Sequence, residues 1–270
     1  MKVALCLYGY FNNRADPKSG DKGYEYLKNN VFSKGDVDVF IHSWEPDIKD
    51  QLISLYNPIE YKFEEQIDFK KSYKKNDIDL DYIDKGFSRE KTMYNPCKIE
   101  SSLSFFYSRG KSIELIKDRE YDAVVACRFD IGHRSKIHRG YNVSQMRFLP
   151  NLDMNYIYSS MWVQTNAGYA DQWFYSNQEN MIKFVGFYDK SLDYFKPKSE
   201  YEKAITNGWF DSNAKNEFSN EILKSVKSEN LLKYPRWQMI NNHIMHKWFM
   251  KDVGIYDKSK FVCHKGKVYA

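Results

Sequence analysis

The segment that most constrains the fold is Tyr121–Cys127, because its last five residues, AVVAC, are all apolar. Strands that are buried on both faces have such continuous apolar runs, whereas half-exposed strands alternate apolar and polar residues. We therefore predict that this segment is a strand in the middle of a sheet, covered by helices on both faces. Sheets of that kind are mostly parallel and belong to the α/β class.

The N-terminal part of the chain predicts a strand, a helix and a second strand. Met1–Leu7 and Val37–Ile41 are rich in apolar and β-branched residues, and the moderately helical segment Tyr24–Phe32 lies between them. Such a unit has two parallel strands joined by a right-handed crossover. Ile59–Glu64 alternates apolar and polar residues, which predicts a third strand.

The rest of the sequence fits one α/β domain. A chain of 270 residues is short for two full α/β domains, so we predict a single domain over residues 1–270 with a mostly parallel central sheet flanked by helices. The charged, patternless residues 68–94 predict a mobile surface loop or an insertion, and residues 200–270 a helical C-terminal part. Further predicted elements are helices at Ser101–Lys117, Asp171–Tyr188 and Met239–Met250 and a strand within Leu152–Val163.

Composition excludes several classes of protein. Hydrophobic residues make up 42% and charged residues 29% of the chain, so neither a disordered chain nor a membrane-embedded body is expected. The net charge of +5 is spread along the chain without the basic stripe of a nucleic-acid-binding protein, and no apolar run is long enough to cross a bilayer. The four cysteines form no CxxC pair, which favours a reducing compartment and predicts a cytoplasmic protein.

Polar and aromatic residues follow three of the predicted strands, at Tyr8–Arg14, His42–Glu45 and Arg128–His133. Because ligands bind outside the carboxyl ends of parallel strands, these segments are expected to line one site. The alternative is that they are ordinary polar loops. The sequence contains neither GxGxxG nor GxxxxGK[ST], which argues against a dinucleotide oxidoreductase and a P-loop kinase.

The third strand end carries the sharpest signal. A carboxylate directly after a buried strand, here Asp130, suits a hard divalent cation such as Mg²⁺ or Mn²⁺, which neutralises a diphosphate. Arg128 projects to the same side of an extended chain and is expected to pair with Asp130 or with phosphate oxygens. The alternative is a surface ion pair of Arg128 with Asp130 that caps the strand and contributes little energy.

Several of these segments together resemble a group of bacterial and viral glycosyltransferases with a GT-A-type fold. The segment YDAVVACRFDI, preceded by SLSFFYSRGKSIELI, is similar to the pattern that closes a central strand in that group. The opening ALCLYGYFNNR, followed by DVDVFIHSW, is similar to its first two strands, and DQWF with the later Met181 to its D-Q-F segment. The resemblance covers Met1 to Tyr188 and implies a single GT-A-like, Rossmann-like domain.

The resemblance implies roles for individual residues. Asp130 takes the last position of a DxD-like motif that binds the Mn²⁺ or Mg²⁺ of a nucleotide-diphosphate sugar, and Arg128 stands where the first Asp would be. His264 is the implied second metal or phosphate ligand, and His243 and His246, an HxxH pair on a predicted helix, compete for that role.

Asp171 is the predicted catalytic carboxylate. Departure of a nucleoside diphosphate leaves negative charge on oxygen and an oxocarbenium-like sugar, so a transferase needs cations at the leaving group and a carboxylate near the acceptor hydroxyl. The alternative role for Asp171 is a helix N-cap. The predicted nucleotide-sugar-binding residues are Tyr8, Gly9, Arg14, His42, Trp44, Ser108, Lys111 and Arg128. Tyr8, His42 and Trp44 are expected to stack on or hydrogen-bond the base and ribose, and Ser108 and Lys111 to face the nucleotide from one side of their helix. The alternative for these five residues is ordinary packing or a solvated surface.

The sequence therefore predicts a cytoplasmic enzyme that moves a sugar from a nucleotide-diphosphate donor onto a glycan acceptor, such as a surface polysaccharide or a glycoprotein-linked chain. One alternative is a non-catalytic carbohydrate- or nucleotide-binding module of the same fold. Another is a nucleotidyl- or other group-transferase that uses the same strand ends.

Overall fold

An eight-stranded mixed sheet forms the centre of the protein in a computed structural model, in the order β3-β2-β1-β4-β6-β5-β7-β8. The structure describes residues 1–13, 15–76, 78–79, 99–132, 144–160, 169–206, 239–262 and 268–269. The strands are β1 (Lys2–Gly9), β2 (Asp36–Ser43), β3 (Glu60–Phe63), β4 (Ala123–Arg128), β5 (Ile157–Ser160), β6 (Trp173–Ser176), β7 (Ser259–Val262) and β8 (Val268–Tyr269).

Helices cover both faces of this sheet, as the sequence predicts. Alternate residues of β1 point into two separate cores: Ala4 and Cys6 into one, Val3 and Leu5 into the other. All five residues of the AVVAC run are fully buried, which confirms the predicted central strand. The helices are α1 (Ser19–Asn30), α2 (Lys49–Tyr56), α3 (Phe69–Lys75), α4 (Ile99–Glu114), α5 (Gln178–Ile182), α6 (Phe187–Tyr194), α7 (Glu200–Thr206) and α8 (Asn242–Asp252).

The strand order changes direction at β1. Strands β1, β2 and β3 are laid down side by side in one direction, and β4 then pairs with the other side of β1. All four strands are parallel, so their carboxyl ends lie at one edge. In open α/β sheets this change of strand order creates the place where ligands bind.

Strand β6 runs against β4, with Cys127 opposite Trp173. The beginning of β6 therefore lies at the same sheet edge as the end of β4, and the backbone N–H of Arg128 donates to the carbonyl oxygen of Gln172 at 3.2 Å. This reversal brings Asp171 beside the strand ends that the sequence predicts to form a site.

Helix α1 approaches the end of β4 very closely. A Cβ atom on Gly23 would lie 1.8 Å from the carbonyl oxygen of Phe129, so only glycine fits at this position. The contact fixes the backbone of Phe129 and Asp130 against the helix.

Three sequence predictions need correction. The predicted helix Asp171–Tyr188 is wrong at its start, because the aromatic run 173–176 forms strand β6 and Asn177 caps α5 by accepting from the N–H of Asn180. The predicted loop at 68–94 contains helix α3, while residues 77 and 80–94 lie outside the described residues.

The predicted helical C-terminal part, 200–270, contains helices α7 and α8 but also strands β7 and β8. Strand β7 extends the sheet by pairing in parallel with β5, and β8 pairs antiparallel with β7. Residues 207–238, 263–267 and 270 of this part lie outside the described residues. None of the helices in the described residues is both long and apolar enough to span a bilayer.

Candidate functional site

The strand ends form one connected group, which we call the switch-point site: residues 8–13, 128–130 and 171. The hydroxyl of Tyr8 lies between β1 and β6 and donates to the carbonyl oxygens of Asp171 and Gln172, at 3.2 and 3.3 Å. These bonds connect the end of β1 to the beginning of β6. The predicted site residues on the two strands are therefore held together by direct contacts.

Arg128 and Asp130 form a bidentate pair at the end of β4. Nε of Arg128 donates to Oδ1 of Asp130 at 2.8 Å, and Nη2 donates to Oδ2 at 2.6 Å. Asp130 is only 2% exposed, so the alternative of a surface ion pair is wrong for the carboxylate, whereas the Arg128 side chain is 36% exposed. Burial opposes the charge of Arg128, but Asp130 more than compensates and raises its pKa.

This pairing leaves one edge of the guanidinium available. Nη1 of Arg128 has no hydrogen-bond partner among the described residues, while the other two nitrogens are committed to Asp130. Asn13, in the loop after β1, also donates to Asp130 Oδ2, at 3.1 Å. Asp130 therefore orients Arg128 and connects the loop to β4.

The described residues fit a divalent cation poorly. Both oxygens of Asp130 already accept from Arg128, and no group of three or more His, Cys, Asp or Glu side chains within the described ranges is arranged to hold a metal. His264, the predicted second ligand, and Arg14 lie outside the described residues.

The HxxH pair on α8 does not supply a metal site either. His246 is buried, its Nδ1–H donates to the carbonyl oxygen of Asn242 at 2.6 Å, and its Nε2 accepts from Arg109 at 2.7 Å. Burial and the charge of Arg109 hold the pKa of His246 well below its usual value. His243 bonds through Nδ1 to the carbonyl oxygen of Tyr169 at 2.6 Å.

Two predicted stacking residues are buried, which corrects their predicted role. The ring of Tyr8 packs edge-on against Phe105, and the ring of Trp44 stacks on Tyr107 at 5.4 Å. Neither ring has a free face for a base or a sugar. Tyr10 is 44% exposed in the loop after β1, and its hydroxyl donates to Gln66 at 2.7 Å. The sequence reasoning passed over Tyr10 although it lies in the same YGY segment.

His42 and Ser108 form a buried network with Gly9. Nδ1 of His42 lies 2.7 Å from Ser108 Oγ, and its Nε2 lies 2.9 Å from Glu64 Oε1. The Gly9 N–H donates to Ser108 Oγ at 2.9 Å. Burial lowers the pKa of His42, although the contact with Glu64 opposes that change. These partners fit a neutral His42 that donates to Glu64 and accepts from Ser108.

Ser108, His42 and Glu64 are as far apart as the residues of a nucleophilic triad, but the serine hydroxyl is not exposed. Ser108 is fully buried and its oxygen accepts the Gly9 N–H, so a substrate cannot reach it. Its role is to hold Gly9, whose φ of +93° requires glycine. Lys111, one helical turn further along α4, pairs with Glu114 at 2.7 Å.

Asp171 is not a helix N-cap, because it precedes strand β6. Its carbonyl oxygen accepts from Tyr8, while its carboxylate forms no hydrogen bond with the described residues. The carboxylate lies near enough to Arg128 to add to the effect of Asp130 on the pKa of that arginine. Asp171 therefore brings a carboxylate with open lone pairs to the switch-point site.

The loop after β1 has further anchors that the sequence reasoning missed. The Glu45 carboxylate accepts from the N–H of Phe11, and Ser19 Oγ at the start of α1 accepts from the N–H of Asn13 at 2.8 Å. Burial raises the pKa of Glu45, although the Phe11 N–H opposes the change. Glu45 lies in the HSWE segment, so the signal was its position directly after a strand.

In comparisons with protein-family models, curated proteins and solved structures, none matches this chain. The function is therefore inferred from the chemistry of the switch-point site. That site combines a fixed arginine, an open carboxylate and a glycine-containing loop at the edge where α/β sheets bind ligands.

Proposed function

We propose that the chain is a glycosyltransferase with a GT-A-type domain, which moves a sugar from a nucleotide-diphosphate donor onto a glycan acceptor. The observation that carries the proposal is Arg128, held by buried Asp130 at the switch point with one guanidinium edge uncommitted. Guanidinium groups bind phosphate oxygens through short, charge-assisted hydrogen bonds. A fixed arginine at this position suits the diphosphate of such a donor.

The leaving group needs positive charge as the glycosidic bond breaks. Negative charge then develops on the diphosphate oxygen, and a pre-oriented N–H donor stabilises it at little cost in reorganisation. Arg128 supplies that donor from Nη1, because Asp130 already holds Nε and Nη2. Asp130 thus acts as the positioning residue for Arg128.

The acceptor hydroxyl needs a base. In an inverting transfer, Asp171 takes the hydroxyl proton while the hydroxyl oxygen bonds to the anomeric carbon of the sugar. Tyr8 supports this role by fixing the backbone of Asp171 through its carbonyl oxygen, at 3.2 Å. The carboxylate itself is left open for a substrate.

A divalent cation enters no step of this scheme. The resemblance implies Mn²⁺ or Mg²⁺, but the Arg128 pair occupies both oxygens of Asp130. Metal assistance, the glycan acceptor and the cytoplasmic location stay predictions from the sequence.

Binding is tested by titrating nucleoside diphosphates and their sugar conjugates into the protein, with Mn²⁺ or with EDTA, by calorimetry. We expect one nucleoside diphosphate to bind and R128Q to weaken it at least tenfold, because a charge-assisted bond of about 1.5–3 kcal/mol is lost. The matched control is R119Q, which removes an exposed arginine that pairs with Glu60 at 3.5 Å, and it should leave the affinity unchanged.

Catalysis is tested by measuring release of the free nucleoside diphosphate from the donor that binds. D171N should retain donor affinity but lose at least a hundredfold in turnover, as expected for a general base. Binding without any release by the wild-type protein would favour the non-catalytic module instead. Release of pyrophosphate would favour a nucleotidyltransferase.

A further inference from the structure

Arg109 on α4 is a fully buried arginine that is poorly satisfied. Nη1 donates to the Nε2 of His246 at 2.7 Å, whereas Nε and Nη2 have no hydrogen-bond partner. His246 is neutral, because its Nε2 accepts from Arg109 while its Nδ1–H donates to the carbonyl oxygen of Asn242. The partner of Arg109 is therefore uncharged.

Aromatic rings surround the guanidinium. Its Cζ lies 4.6 to 5.4 Å from four ring centroids, those of Phe105, Phe174, Phe184 and Phe187. Cation–π contacts stabilise the charge in part. No carboxylate among the described residues lies within ion-pair distance of it, but Tyr8 and the carboxylate of Asp171 are near enough to favour its charge. Burial lowers the pKa of Arg109 to about 10, so the group stays positive at neutral pH.

This charge lies one layer below the switch-point site. The Phe105 ring, which contacts Arg109, also packs edge-on against Tyr8 with centroids 5.3 Å apart. The Tyr8 hydroxyl and the backbone N–H of Arg128 both donate to the carbonyl oxygen of Gln172, at 3.3 and 3.2 Å. Four contacts, through Phe105, Tyr8 and Gln172, thus connect the buried cation to Arg128.

We propose that Arg109 is the buried half of the anion site: its charge, only partly compensated in the ligand-free protein, strengthens binding of a phosphate-bearing anion at Arg128 and lowers the stability of the protein without that anion. The proposal rests on the switch-point site of the proposed function but not on glycosyl transfer. Charges act over longer distances through a low-dielectric interior than through water, so no direct contact with the anion is needed. Arg109 is a positioning residue for the anion in this sense, not a catalytic one.

If Arg109 has only a structural role, the expected effect of its replacement on stability is the opposite. If Arg109 served only to pack and to bond His246, truncation would lower the Tm. If its charge is only partly compensated until an anion binds, an apolar side chain of similar length fits the aromatic cage at least as well, because replacing buried charges by apolar groups is often stabilising. The sign of the change in Tm therefore distinguishes the two roles.

The test uses the full chain with inorganic pyrophosphate as the probe. We expect R109M to raise the Tm of the ligand-free protein by about 2–4 °C and to weaken pyrophosphate binding about tenfold in calorimetry. R109K keeps the charge and should keep wild-type affinity. The matched control R119M removes an exposed positive charge and should change neither quantity.

A second variant separates the loss of the buried charge from the loss of the hydrogen bond to His246. R109M leaves His246 without its donor, so R109M/H246F removes both polar groups and should be at least as stable as wild type. The proposal is overturned if both variants have a lower Tm or fail to fold. It is also overturned if wild-type protein does not bind pyrophosphate, or if R109M binds it as tightly as wild type.

The outcomes for the two proposals are separable. If pyrophosphate affinity depends on Arg109 but the protein releases no nucleoside diphosphate, the inference about Arg109 stands and the proposed glycosyltransferase activity is contradicted. If the protein releases nucleoside diphosphate but R109M binds pyrophosphate as tightly as wild type, the proposed activity stands and the inference about Arg109 is contradicted.

Discussion

Arg128 and Asp130 share two hydrogen bonds but differ in burial, since Asp130 is 2% exposed and the Arg128 side chain 36%. Removing one partner of a pair harms stability according to how deeply the remaining charge is buried. The carboxylate is the costlier group to leave without its bidentate partner. Removing Arg128 is therefore expected to lower the free energy of unfolding more than removing Asp130, although the two residues share the same two hydrogen bonds.

We predict that R128M lowers the free energy of unfolding by about 3 kcal/mol and D130N by about 1–2 kcal/mol. Urea denaturation followed by tryptophan fluorescence measures both. R119M, at an exposed ion pair, is the control and should change stability by less than about 1 kcal/mol. Equal losses for R128M and D130N would contradict the burial argument.

The sequence predicted the position of most of this site, but not which of its side chains are buried. It placed Tyr8, Arg128 and Asp130 at strand ends, which the structure brings together. It misjudged Trp44, because the rings that bury this side chain, Phe69 and Tyr107, come from helices that lie far along the chain. Burial of a strand-end residue depends on such distant partners.

Helix α1 contacts the end of β4 directly. Gly23 approaches the carbonyl oxygen of Phe129 so closely that a methyl group cannot enter without moving the end of β4. We predict that G23A lowers the free energy of unfolding by about 3 kcal/mol and weakens binding of the nucleoside diphosphate, because Asp130 follows Phe129 directly.

Thermal unfolding and calorimetry of G23A measure these two effects. Gly186 is the matched control, since a Cβ there meets no atom within 4 Å and its φ is not in the left-handed region. G186A should retain wild-type stability and affinity. If G23A is as stable as G186A, helix α1 moves away from Phe129 at little cost in free energy, and the prediction is contradicted.

Strand β6 shows where periodicity fails for short elements. Four residues, WFYS, are too few to distinguish a buried strand from the start of a helix. Pairing with β4 on one side and β5 on the other decides for the strand. As a result, Asp171 precedes a strand at the switch-point site instead of capping a helix.

At the scale of the molecule, two buried histidines among the described residues contribute to the dependence of stability on pH near neutrality. Burial lowers the pKa of His42 and of His246 from the ordinary value of 6.5. The unfolded chain therefore takes up protons at these positions before the folded protein does. Their contribution to stability is complete above pH 6.5 and is lost as the pH falls below it.

We predict that the free energy of unfolding falls between pH 7 and pH 5, by at most about 1.4 kcal/mol per pH unit for each histidine. Urea denaturation at a series of pH values measures the slope. H246F removes one of the two groups and should roughly halve it. A slope that is the same in H246F and wild type would assign the pH dependence to other groups.

The α/β class, the buried central strand and the positions of the strand ends follow from the sequence, because they depend on apolar runs and turn residues that lie close together in the chain. The reversal of β6, the burial of Trp44, the Arg128 pair and the position of Arg109 beneath it arise from contacts between segments far apart in the chain. Such contacts depend on which faces pack together, and a linear pattern does not contain that information.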